Sequence, residues 1–190
     1  MIGKTMPSPL PTYVRTIRDD ILYECAKLIS RSARGELERA YVTYLFKKLR
    51  DGDISISGMI REWDQVLPPQ CVFCGSTTDL ITDRLIPKSR GGDDSAENKV
   101  PVCKECQSAR GEKGIFEWLG LNRKDQLPRL VLGRYLVQLL KVHEAAGTLY
   151  TAKSDLGHLC SDCPLPEVCE LWDSAGEMTC FCLESVLPRR

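Results

Sequence analysis

Residues 71–114 read CVFCGSTTDLITDRLIPKSRGGDDSAENKVPVCKECQSARGEKG. The stretch contains two cysteine pairs of the form Cys-x2-Cys, which are Cys71 with Cys74 and Cys103 with Cys106. Each such turn directs two thiolates to one point, and two turns together supply the four ligands of a closed tetrahedral site. The pattern therefore predicts a structural Zn²⁺ with no open position for a substrate. The 28 residues between the pairs are more than a simple zinc ribbon has, so we expect them to have structure of their own.

The sequence between and around these pairs resembles the HNH endonucleases, the ββα-metal nucleases. In that family a Cys-x2-Cys turn precedes a strand ending in Asp-His, an IPxSxGG loop, an Asn, a second strand, and a second Cys-x2-Cys turn that leads into a helix. Residues 80–84 match the first strand, residues 86–92 (IPKSRGG) the loop, Asn98 the Asn, and residues 107–113 the start of the helix. The resemblance implies an α+β fold in which a zinc-stapled ββα unit is flanked by helices.

The same resemblance implies a catalytic set of Asp83, Arg84, Asn98 and Gln107. Two of these residues differ from the family pattern, since Arg84 replaces the catalytic His and Gln107 replaces a final metal-binding His or Asn. In the family the carboxylate at the position of Asp83 binds a divalent ion, and the His is the general base that activates water. Arg84 is not a general base, because a guanidinium stays protonated at physiological pH.

Two functions follow from this pattern. The first, which we favour, is a DNA endonuclease with weakened or re-routed catalysis, in which Asp83 and Gln107 hold Mg²⁺ or Mn²⁺ and Arg84 stabilises transition-state charge. The second is a non-catalytic nucleic-acid-binding protein on a degenerate HNH scaffold. Both have nucleic acid as their partner, with double-stranded DNA expected. The predicted phosphate contacts outside the catalytic set are Lys88, Arg90, Lys99, Lys104, Arg110 and Lys113.

A second cysteine cluster occupies residues 158–182, which read HLCSDCPLPEVCELWDSAGEMTCFC. Its cysteines are Cys160, Cys163, Cys169, Cys180 and Cys182. The Cys-x2-Cys-x5-Cys part resembles the iron–sulfur loop of helix-hairpin-helix DNA glycosylases, although Lys153 stands where their first cysteine falls. The cluster predicts a [4Fe–4S] centre or a second Zn²⁺, for which His158 is a further candidate ligand. An iron–sulfur centre opens a third function, a redox-responsive protein.

The composition is typical of a soluble globular protein, with 43% hydrophobic and 27% charged residues in a chain of 190. We expect a cytoplasmic protein without membrane contact, because no apolar run approaches the ~18 residues of a membrane span and the N-terminus lacks the apolar core of a signal peptide. In a reducing compartment, ten cysteines indicate metal rather than disulfides. The 26 basic and 26 acidic residues balance, so net charge gives no general attraction to nucleic acid.

Hydrophobic spacing, the HNH resemblance and the two cysteine clusters together divide the chain into four predicted regions. They are a helical N-terminal region (1–66), the HNH-like zinc unit (67–116), a long helix (117–150) and a cysteine-rich metal-binding tail (151–190). His143 falls within the apolar pattern of the long helix and is expected to be a core or cap-adjacent group rather than a catalytic one. Residues 15–50 carry nine Lys or Arg against five Asp or Glu, which favours either a solvated helix face or a phosphate-facing surface.

Overall fold

The structure, a computed structural model, describes residues 11–34, 38–58, 69–120 and 126–155. Within these ranges it combines helices with one two-stranded antiparallel sheet, which confirms the predicted α+β class. None of the helices in these ranges is both long and apolar enough to cross a membrane. The predicted second metal centre lies outside the described residues, with all of its candidate ligands: His158, Cys160, Cys163, Cys169, Cys180 and Cys182.

Two amphipathic helices, α1 (Ile17–Arg34) and α2 (Arg39–Asp51), pack against each other. The first begins at a reciprocal cap, because the Thr16 hydroxyl accepts from the Asp19 amide at 3.1 Å and the Asp19 carboxylate accepts from the Thr16 amide at 3.2 Å. The second ends at Gly52, whose φ of 82° is the left-handed conformation that glycine adopts without strain. Their buried faces contain Ile17, Ile21, Cys25 and Ile29 from α1, and Val42, Leu45, Phe46 and Leu49 from α2.

The sheet pairs β1 (Leu80–Arg84) with β2 (Lys99–Cys103). Its register places Asp83 opposite Val100 at the end remote from the cysteines. Helix α3 (Lys104–Arg110) follows β2 without an intervening loop. The chain therefore has a strand, a strand and a helix in direct succession, and the first strand occupies the residues predicted for it.

The helix predicted over 117–150 is divided into two helices. Helix α4 (Ile115–Leu119) ends at Gly120, which has a φ of 83°, and α5 (Arg129–Ala145) begins immediately after Pro128. Gly120 leaves the right-handed region, and Pro128 has no backbone N–H to continue a preceding helix, so the apolar periodicity is interrupted between them. Helix α4 also spans the predicted boundary between residues 116 and 117.

One hydrophobic core joins the helices to the cysteine-rich unit. Ile21 of α1, Phe46 of α2, Val102 of β2 and Tyr135 of α5 belong to the same buried cluster, together with Cys71 and Cys103. The cysteine-rich unit thus shares one buried core with the N-terminal helices and α5.

The loop between the strands is held by the side chain of Asn98. This fully buried amide accepts from the Ile86 N–H at 2.9 Å and donates to the carbonyls of Ile86 at 3.0 Å and Asp93 at 2.8 Å. Gly92 lies in the same corner, where its N–H donates to the Pro87 carbonyl at 3.0 Å. A Cβ atom added to Gly92 would lie 1.9 Å from the Ile86 carbonyl oxygen, so the loop closes only around a glycine.

Gly92→Ala is expected to lower the free energy of unfolding by about 3 kcal/mol or more, because the backbone must move and break the hydrogen bonds of the Asn98 side chain. Gly147→Ala is the matched control, since Gly147 has a φ of +70° and nothing within 4 Å of its added Cβ. There the left-handed backbone alone should cost about 1 kcal/mol. Urea unfolding of both variants measures the difference, and equal losses would contradict the close packing at Gly92.

Candidate functional site

Four cysteine sulfur atoms lie at one point beside the sheet. The Sγ atoms of Cys71, Cys74, Cys103 and Cys106 are all within 4.8 Å of one another, and those of Cys74 and Cys103 are 3.6 Å apart. Sulfur atoms around a tetrahedral ion with Zn–S bonds of about 2.3 Å are about 3.8 Å apart. The four residues predicted as ligands are therefore positioned to hold a metal ion.

Local backbone geometry favours the thiolate of one ligand, Cys71. Burial tends to raise the pKa of the Cys71 thiol, but N–H groups of Cys103, Cys74 and Phe73 lower it to about 7. Burial and the three neighbouring thiols raise the pKa of Cys106. Four thiolates this close repel one another, so the full ligand set forms only around a cation, which deprotonates coordinating thiols outright.

The carboxylate of Asp83, the predicted divalent-metal ligand, forms an ion pair with Arg110. Its Oδ2 atom lies 3.0 Å from Nη2 of Arg110, and its Oδ1 atom accepts from the Arg84 amide at 2.8 Å. Arg110 Nη2 also donates to the Arg84 carbonyl at 2.7 Å. The Arg110 side chain is only 2% exposed, and its guanidinium carbon lies 5.9 Å from the centre of the Phe73 ring. Arg110 is thus fixed between the first cysteine turn and the end of β1.

The other two members of the predicted catalytic set lie apart from this pair. Gln107 is exposed on α3, and among the described residues its side chain has no hydrogen bond to Asp83. Asn98, predicted here as catalytic, is fully buried and uses its amide on Ile86 and Asp93. Its position makes it a structural residue of the loop rather than a group that meets a substrate.

Arg84, at the position where the resemblance implies a histidine, shares an acidic partner with Lys88. Asp94 accepts from Arg84 Nε at 3.1 Å and from Arg84 Nη2, and its other oxygen lies 2.6 Å from Lys88 Nζ. Hydrogen bonds from Lys88 and Arg84 lower the pKa of Asp94 to about 2. The end of β1 and the following loop therefore direct two cations to one point, and a carboxylate occupies it.

The predicted phosphate contacts divide into surface and interior residues. Lys88, Lys104 and Lys113 are exposed and Lys99 is partly exposed, so these four lie at the surface, with Lys88 paired to Asp94. Arg90 and Arg110 are buried and pair with Glu117 and Asp83. A phosphate role for these two does not fit the structure, because internal carboxylates already neutralise them.

The sequence reasoning missed Asp94 and the pairing of Arg110 with Asp83. The signal for Asp94 was the acidic pair that directly follows the two loop glycines, within an otherwise basic segment. The signal for Arg110 was its spacing, since it lies four residues after Cys106 and so on the same side of α3.

His143, which lies on α5, is buried in the protein, as predicted. Its Nδ1 atom is 2.8 Å from the Thr148 hydroxyl, and desolvation by burial lowers its pKa to about 4. This buried, neutral imidazole is hydrogen-bonded to the turn that follows its own helix, so it is a structural group. His143 is the only histidine among the described residues.

Compared with known proteins, the chain matches no protein-family model, no curated protein and no solved structure.

Cys103→Ser is expected to lower the bound metal by about one ion per chain and to unfold the unit of β1, β2 and α3, because metal binding supplies much of the folding free energy of such sites. Cys25→Ala is the control, since Cys25 is also buried but lies in α1, outside the group of four cysteines. Elemental analysis and thermal unfolding of both variants test this. A folded Cys103→Ser protein with an unchanged metal content would contradict the site.

Proposed function

We propose that the protein binds nucleic acid through an HNH-like zinc-stapled ββα unit and does not cleave it. The observation that carries this proposal is the pair of Asp83 and Arg110 at 3.0 Å. The carboxylate on which divalent-metal hydrolysis depends is held by a buried guanidinium. A Mg²⁺ or Mn²⁺ ion at Asp83 would lie beside this fixed positive charge, in a site from which water is largely excluded.

Within residues 11–34, 38–58, 69–120 and 126–155, no group near Asp83 is suited to act as a general base, which points the same way. Arg84 does not accept a proton, and the one imidazole of the described residues, His143, is buried and bonded to Thr148. General-base catalysis contributes about 10²–10⁴-fold to such reactions. The proposed unit therefore keeps the order of its strands and helix, but its carboxylate is paired with Arg110. No general base lies beside that carboxylate among the described residues.

The proposed contacts are local, because the chain has no net charge to attract a polyanion. Arg84 and Lys88 lie together at the end of β1, and the other exposed or partly exposed cations of the unit are Lys99, Lys104 and Lys113. Such contacts fix a duplex through its phosphates and carry no base sequence. We therefore propose binding to double-stranded DNA that is weak in specificity and falls steeply with salt.

For the four-cysteine site we propose Zn²⁺. Four thiolates on two Cys-x2-Cys turns form a closed tetrahedral set, which suits a structural zinc and leaves no position for a substrate or water. Zinc has no redox chemistry, so its role is to hold the first turn, β2 and α3 together. A zinc protein is colourless, whereas iron on four thiolates absorbs visible light, so a spectrum with elemental analysis identifies the ion.

The nuclease is the second candidate, and one observation favours it. Strand, strand and helix follow one another in the order that the resemblance implies, with Asp83 near the end of the first strand. Cleavage would require Arg110 to leave Asp83 before a divalent ion binds. The predicted redox function and its [4Fe–4S] cluster concern residues outside those described and stay predictions.

The wild-type protein is expected to retard labelled duplex DNA at low salt but to leave a supercoiled plasmid uncut with Mg²⁺ or Mn²⁺. Arg84→His should also fail to cut, because Arg110 still holds Asp83 when a base is restored. Lys104→Gln should lower the slope of log affinity against log salt by about one if it meets a phosphate.

Fluorescence anisotropy measures the binding, and gel mobility of the plasmid measures the cutting. Cutting by wild type that disappears in Asp83→Asn would establish the nuclease instead. No binding at low salt, in a folded and metal-loaded sample, would remove the proposed function altogether.

A further inference from the structure

Asp94 lies between Arg84 and Lys88 and pairs with both cations. Both oxygens of its carboxylate are used, one by the guanidinium and the other by the ammonium group. A phosphodiester offers the same arrangement of two acceptor oxygens and one negative charge. The two cations therefore form an anion site whose anion belongs to the chain itself.

The backbone that carries Asp94 is fixed in place. The preceding residue, Asp93, is held through its carbonyl by Asn98 at 2.8 Å, and its carboxylate accepts from the Ser95 amide at 3.1 Å and hydroxyl at 2.6 Å. Gly92, one residue further back, has no room for a side chain. Asp94 is thus presented by a rigid frame, although its own side chain is 54% exposed.

The neighbouring acidic residues have a different partner. Asp93 and Glu97 face Lys141 of α5, at 3.6 Å and 2.8 Å. In the part of the chain that the structure describes, Asp94 is the acidic partner of both Arg84 and Lys88, so changing it alters the anion site and leaves the contacts between the loop and α5 intact.

We propose that Asp94 is a built-in competitor for the phosphate site of Arg84 and Lys88. This inference rests on the proposed function, because it assumes that the phosphate competing with Asp94 is that of a nucleic acid. A backbone phosphate gains these two cations only by displacing Asp94, which remains tethered within reach. The competitor keeps binding weak, and an approaching duplex must supply other contacts before this site opens.

Asp94→Asn is expected to tighten the binding of labelled duplex DNA about three- to tenfold and to steepen its log–log salt dependence by about one, since one more phosphate is neutralised. Asp53→Asn is the matched control. It removes the same charge from an exposed carboxylate that pairs with Lys48 at 2.7 Å, away from the sheet. Asp53→Asn should change the affinity less than twofold, because electrostatic effects of exposed distant charges are screened.

The double variant Arg84→Gln/Asp94→Asn shows whether the tighter DNA binding caused by Asp94→Asn depends on Arg84. Relative to Arg84→Gln alone, Asp94→Asn should then tighten binding much less, since only Lys88 remains to be released. Circular dichroism confirms that each variant is folded.

The outcomes separate the inference from the function on which it rests. Binding by wild type with equal gains in Asp94→Asn and Asp53→Asn would overturn the competitor and keep the proposed function. An undiminished gain in the Arg84→Gln background would also overturn it. Binding by Asp94→Asn with none by wild type would support the competitor, and no binding by any variant would overturn both.

Discussion

The convergence of four cysteine sulfurs fixes the geometry on which the rest of the site depends. Cys103 ends β2 and its sulfur accepts from the Cys106 amide at 3.5 Å, so α3 begins at the metal-ligand turn itself. The first turn is fastened to the same strand, because the Val72 N–H donates to the Pro101 carbonyl at 3.1 Å. With the start of α3 fixed in this way, Arg110 at its end is delivered to Asp83 on the neighbouring strand.

What this site can do depends more on the ion-pair partners of its charged residues than on the charged residues themselves. Asp83 is an acid at a position where the resemblance implies a metal ligand, yet Arg110 takes the place of the ion. Arg84 and Lys88 are cations suited to phosphate, yet Asp94 holds both. Each of these charges is thus paired within the protein, and under the proposed function these pairs keep the site from binding a divalent ion or a phosphate freely.

Local features of this fold were accessible from the sequence, and contacts between distant residues were not. The cysteine spacing predicted the ligand set because each Cys-x2-Cys turn is a local structure. The extent of β1 followed from the HNH resemblance, and the burial of His143 from the apolar spacing of its helix. The break between α4 and α5 was also present in the sequence as Gly120 and Pro128, but the apolar periodicity on both sides concealed it.

Basic residues were expected on the surface, and two of them proved to be internal. Arg90 is neutralised by Glu117, 27 residues away, and Arg110 by Asp83, also 27 residues away. No local rule predicts such pairs, since they depend on how the loop, α3 and α4 pack together. The same holds for Asn98, whose buried amide is used entirely on the loop that it closes.

The central claim is that Arg110, and not a divalent ion, occupies the carboxylate of Asp83. The most direct measurement is an NMR titration of the metal-loaded protein with paramagnetic Mn²⁺, which broadens amide signals close to any ion that binds. The account predicts that the Asp83 and Arg84 amides broaden no earlier than those of Asp51 and Asp53, an exposed acidic pair at the end of α2. Selective broadening of Asp83 and Arg84, at Mn²⁺ concentrations that leave Asp51 and Asp53 sharp, would contradict it.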